Sequence, residues 1–126
     1  MAFTGIANAV INQISDRAVR ITGLSLAGLA SGTISLNGGP ASDVALPATF
    51  TPSEVPGAGG DPTQVDTLVD RTRVSIQQTA AAATGMPYHV VKNAGVGGGP
   101  ASFQITITND GAAASGALEI YIDLLG

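Results

Sequence analysis

The chain has no cysteine and no tryptophan, and its aromatic residues are limited to three phenylalanines and two tyrosines. Without thiols there is no disulfide framework, no thiolate nucleophile and no thiolate metal site. His89 is the single histidine, which excludes a histidine metal cluster and leaves one imidazole as a base for any serine nucleophile. No serine lies in Gly-x-Ser-x-Gly, so a nucleophile–base–orienter triad finds no support. Charge is scarce too: five basic and nine acidic residues make up 11% of the chain, for a net of −4. Arg17, Arg20, Arg71, Arg73 and Lys92 neutralise too few phosphates for a nucleic-acid partner. No run reaches the roughly 18 apolar residues of a membrane-spanning helix. Residues 1–5 lack the basic start and long apolar stretch of a signal peptide. The expectation is a non-enzymatic protein made in a cytoplasm, with no cofactor and with neither membrane nor nucleic acid as partner.

What is present is a chain of 126 residues, enough for one domain. Its hydrophobic content of 44% is ordinary, but much of it is alanine, and glycine accounts for 17 further residues. The core therefore rests on Val, Ile and Leu, each worth about 1.5–3 kcal/mol when buried. Such a core is modest, and it leaves room for an interface between copies to add stability.

Residues 5–14 set Ile6, Val10, Ile11 and Ile14 at helical spacing, with Thr4 as a plausible N-cap. The spacing predicts a short amphipathic helix, with an extended N-terminal arm as the alternative, over a segment 1–16 that precedes a β-domain at 17–126. From Arg17 the period changes to two. Val19 and Ile21 alternate with Arg20 and Thr22, and Leu24 and Leu26 resume one residue out of phase, as a bulge at Gly23 would produce. A short strand is expected around Thr33–Leu36. A further extended segment is expected over Val44 and Leu46, with Phe50 as an optional third position, and Pro47 confines it to a sheet edge or a bend. Residues 52–63, rich in proline and glycine, read as a surface loop. Farther on, Leu68, Val74 and Ile76 share one strand face, and Arg71 and Arg73 share the other. Tyr88, Val90 and Lys92 alternate with His89 and Val91.

The last third carries the clearest pattern. Phe103, Ile105 and Ile107 alternate with Gln104, Thr106 and Thr108, then Asn109-Asp110-Gly111 turns the chain, and Leu118, Ile120, Ile122 and Leu124 alternate with Glu119, Tyr121 and Asp123. Two such runs joined by a turn-rich segment imply paired antiparallel strands with one buried face each. Together the segments predict an all-β fold, an antiparallel β-sandwich of jelly-roll-like type. Ile105, Ile107, Leu118, Ile120 and Ile122 are expected inside, and Thr106, Thr108 and Glu119 outside.

Candidate chemistry is thin. The glycine-rich residues 95–100 lack the Gly-Lys-Ser/Thr and the following helix of a phosphate loop. Asp61, Asp66 and Asp70 cluster near a loop, but they miss the EF-hand spacing and the six or more oxygens that Ca²⁺ takes. Glu119 and Asp123 lie about 13 Å apart at strand rise, beyond the roughly 5–9.5 Å of paired glycosidase carboxylates. The candidate partner-binding residues are Ile6, Val10, Ile11 and Ile14 with Arg71 and Arg73; no catalytic or metal-binding residue is assigned.

An N-terminal helix or arm followed by a β-domain that ends Phe103-Gln-Ile-Thr-Ile-Thr-Asn-Asp-Gly and Ala117-Leu-Glu-Ile-Tyr-Ile-Asp-Leu-Leu125 resembles small virion proteins of tailed phages, in particular capsid decoration (cement) proteins. The resemblance runs over the whole chain: rich in Ala, Gly and Thr, cysteine-free, weakly charged and β. It implies binding to the outside of an assembled capsid as homotrimers that bridge major capsid subunits, and hence a location on the virion. It carries over no binding residues. The competing reading is a carbohydrate- or protein-binding β-sandwich module of a tail fibre or cell-surface complex, for which Tyr88 and Tyr121 are the available aromatic platforms.

Overall fold

The structure, a computed structural model, describes residues 3–15, 18–35, 43–46, 71–79, 85–93 and 103–124. Alternating β-branched and polar residues form strands here because their side chains pack well on a pleated, half-buried surface. Among the described residues eight strands result: β1 (Val10–Gln13), β2 (Ala18–Leu24), β3 (Ser31–Ser35), β4 (Val44–Ala45), β5 (Arg73–Gln78), β6 (Tyr88–Asn93), β7 (Gln104–Asn109) and β8 (Leu118–Asp123). They form two four-stranded sheets, ordered β1-β2-β8-β5 and β4-β3-β7-β6. The inner faces share one core. Val19, Ile21, Leu24, Leu118, Ile120 and Ile122 come from the first sheet, and Ile34, Ile105 and Ile107 from the second, with Phe3 and Phe103 filling between. The fold is an all-β sandwich, and the five aliphatic residues of β7 and β8 expected inside are all buried.

The expected bulge is present: the β2–β8 register shifts between Thr22 and Leu24, and Gly23 takes a φ of 90°. That step keeps Leu24 on the core face after the phase change. β4 lies at an edge, one of the two placements expected of a segment followed by proline, and Pro47 and Phe50 lie outside the described residues.

Three expectations are corrected. Residues 5–14 are not an α-helix. Ile6–Asn8 form a single 3₁₀ turn whose N-cap position is Gly5, without a side-chain cap, and the chain then extends into β1. Thr4 does not cap; its backbone exchanges hydrogen bonds with Ser25, and its hydroxyl bonds the Ser25 hydroxyl. Helical spacing and β-branched side chains pointed opposite ways, and pairing of Val10–Gln13 with β2 decided the outcome.

Second, β7 and β8 do not pair. β7 lies between β3 and β6, and β8 between β2 and β5, in opposite sheets. The connection 110–117 is longer than a hairpin turn, and it carries the chain across the roughly 10 Å between packed sheets. Alternation reports that one face is buried, not which strand is the neighbour.

Third, one pair is parallel. Ile34 and Ser35 lie against Val44 and Ala45 running the same way. Asp43 sets this up: its N–H donates to the Thr33 carbonyl and hydroxyl, and its carboxylate accepts the Thr33 N–H at 2.9 Å.

Candidate functional site

Of the four N-terminal isoleucine and valine residues, only Ile11 turns toward the core, half-buried against it. Ile6 in the 3₁₀ turn, Val10 on β1, the outer strand of its sheet, and Ile14 just after it remain 42%, 52% and 49% exposed. The segment is anchored by Phe3, buried in the core, and by the pairing of β1 with β2.

Arg71 and Arg73 are both exposed, one just before β5 and one at its start. β5 and β6 are the edge strands on the side of the sandwich opposite β1 and β4. Lys92 reaches across this seam and donates from Nζ to the Thr72 carbonyl at 2.8 Å, linking the two sheets. A shallow depression of about 380 Å³ lies there, lined by Thr72, Arg73, Val90 and Lys92 among others.

The outer face of the β1-β2-β8-β5 sheet has a more ordered arrangement. Strand registers place Thr22, Glu119 and Gln77 in one cross-strand row, Arg20, Tyr121 and Ser75 in the next, and Ala18, Asp123 and Arg73 in the third. Tyr121 sits at the centre of this three-by-three grid, 40% exposed. Its neighbours are polar or charged except Ala18. The Arg20 guanidinium approaches Glu119 at 4.0 Å. A depression of about 510 Å³ opens beside Tyr121 and is lined by Ser75, Ile76, Gln77 and Glu119. Three buried side-chain polar atoms among the described residues lack a hydrogen-bond partner, and two of them, Arg20 Nε and Asp123 Oδ1, belong to this grid. Tyr121 was legible in the sequence as an aromatic platform; its neighbours on β2 and β5 were not, because they depend on the register of strands distant in sequence.

His89 stands outward on β6 with Nδ1 2.8–2.9 Å from both Asp110 carboxylate oxygens. Carboxylate oxygens accept, so Nδ1 carries the proton in this contact. Both side chains are about half exposed, and among the described residues no second base or nucleophile joins them in a hydrogen bond. No three histidine, aspartate or glutamate side chains converge among the described residues. Asp61, Asp66, Asp70, Leu68 and the loops 52–63 and 95–100 lie outside them. No helix among the described residues is long and apolar enough to cross a membrane.

Compared with known proteins, the chain matches no family model, and no curated protein or solved structure is similar to it.

Proposed function

We propose that this chain is a non-catalytic structural protein of a phage virion, which docks as a homotrimer on the outside of the capsid and stabilises it by bridging major capsid subunits. The observation that carries the reading is a set of exposed aliphatic residues, each about half exposed, on a segment held in place by β2 and by the buried Phe3: Ile6 in the 3₁₀ turn, Val10 on β1 and Ile14 just after it. Burial of such side chains against a neighbour is favourable at about 25 cal/mol per Å². The resemblance to decoration proteins supplies the partner and the trimer. A ligand that binds only the assembled shell stabilises it by mass action, and three linked copies add their contacts through effective concentration.

The test compares stripped particles with particles redecorated by the wild-type protein or by the variant Ile6→Ser/Val10→Thr/Ile14→Ser. Deleting residues 1–14 is unsuitable, since it would remove β1 and the core residue Phe3. Wild-type protein should cosediment with the particles and raise the temperature at which they release DNA. The variant should do neither. Equal release temperatures for stripped and redecorated particles would rule the role out.

A further inference from the structure

We propose that the outer face of the β1-β2-β8-β5 sheet is a binding site for a neutral saccharide, centred on Tyr121. The inference does not rest on the capsid reading, and Val10, the one docking residue of that reading on this face, lies two strands away from Tyr121 at the β1 edge. A sugar ring presents an apolar C–H face rimmed by hydroxyls, so it needs an aromatic surface surrounded by groups that both donate and accept. The grid supplies that combination. Tyr121 offers an exposed ring with a polar tip. Around it stand the Gln77 amide, the Ser75 and Thr22 hydroxyls, the Glu119 and Asp123 carboxylates and the Arg20 guanidinium. The adjoining depression of about 510 Å³ falls within the range of small-ligand sites, about 300–1,000 Å³.

Charge argues for a neutral ligand. Arg20 and Arg73 face Glu119 and Asp123 within the same grid, so positive and negative side chains balance and no field of one sign favours an ion. It argues equally against a protein occupying the face. The core of a protein–protein interface is depleted in charged residues, whereas here they immediately surround the aromatic.

The platform is also rigid. β8 is paired on both sides, by β2 and β5, and the flanking Ile120 and Ile122 are fully buried. Tyr121 is thereby fixed at its backbone, which lowers the ordering cost of binding.

The experiment titrates ¹⁵N-labelled protein with cellohexaose, maltohexaose and chitohexaose, all neutral, and follows amide shifts by NMR. At least one should give saturable shifts at millimolar concentration, concentrated at Ser75, Gln77, Glu119 and Tyr121. Tyr121→Ala should weaken that binding by about tenfold or more while leaving the thermal midpoint near that of the wild type. Tyr121→Phe, which keeps the ring, should bind within a few-fold of the wild type. Absence of saturable shifts with all three sugars overturns the proposal. So does binding that survives Tyr121→Ala unchanged, or a shift map centred away from this face.

Discussion

Ser115 and Leu26, distant in sequence, are locked together by two hydrogen bonds: the Leu26 N–H donates to the fully buried Ser115 hydroxyl at 2.9 Å, and the Ser115 N–H donates to the Leu26 carbonyl at 2.8 Å. The Ser115 hydroxyl donates a hydrogen bond to the Gly116 carbonyl, and the Gln78 amide donates to the Ser115 carbonyl. This pins the crossing between the sheets to the end of β2. Ser115→Ala leaves the Leu26 N–H buried and unpaired, at a cost of about 1–3 kcal/mol. Urea denaturation should show a lower midpoint with an unchanged slope.

Asn109 does the same for the start of that crossing. Its amide donates to the Ala113 carbonyl at 2.8 Å and lies within reach of the Ala27 and Leu26 carbonyls, while its side-chain oxygen accepts the Gly111 N–H at 2.9 Å. Asn109 is fully buried, so Asn109→Ala strands several polar groups at once. It should destabilise more than Ser115→Ala in the same urea titration. His89→Ala, which breaks the exposed contact with Asp110, should cost no more than about 1 kcal/mol.

In the core, Ile120→Ala should cost about 2–5 kcal/mol through lost burial and the cavity left behind. Thr106→Ala, on the outer side of β7, should stay within about 0.5 kcal/mol. Thermal unfolding separates the two, and equal shifts would contradict the assignment of faces.

The contrast between these two positions was readable from period-two alternation alone, as was the bulge at Gly23. Topology was not. Ile107 and Leu118 each announce a buried face, yet nothing in either run says that they belong to opposite sheets rather than to paired strands. At the N-terminus, Ile6, Val10 and Ile14 satisfied a helical period, while their β-branched side chains suited a strand; the open edge of β2 resolved the conflict. The grid around Tyr121 was legible only at its own strand, where Glu119 and Asp123 flank it. Arg20 and Ser75 become neighbours solely through the pairing of β2 and β5 with β8.

Gly28 tests the packing of the loops at that end. A Cβ there would run into the Ala112 carbonyl oxygen, a backbone atom that cannot swing aside. Gly28→Ala should therefore destabilise by about 1–3 kcal/mol or more. Gly85→Ala is the matched control, since its Cβ would meet nothing nearer than the Gln78 amide oxygen at 3.9 Å. A melting temperature that falls for the first and holds for the second would establish the close approach.

Leu29 adjoins the same loops and separates stability from docking. It is the non-glycine residue with positive φ among the described residues, at 61°, and its side chain is 70% exposed. The left-handed conformation costs an L-residue roughly 1–2 kcal/mol, and asparagine tolerates it far better than leucine. The turn is held from outside, because the Leu29 N–H donates to the Gly111 carbonyl at 2.9 Å and the Ala30 N–H to the Ala27 carbonyl at 3.1 Å. Leu29→Asn removes the strain without disturbing either bond, and it should stabilise the protein by up to about 1 kcal/mol. A leucine kept exposed in a strained turn suggests that its side chain serves a contact. On the proposed capsid-binding role, the same variant should therefore cosediment less with capsid particles even as its thermal midpoint rises. A rise in midpoint with full attachment would assign Leu29 no part in docking and leave the β1 edge to carry it.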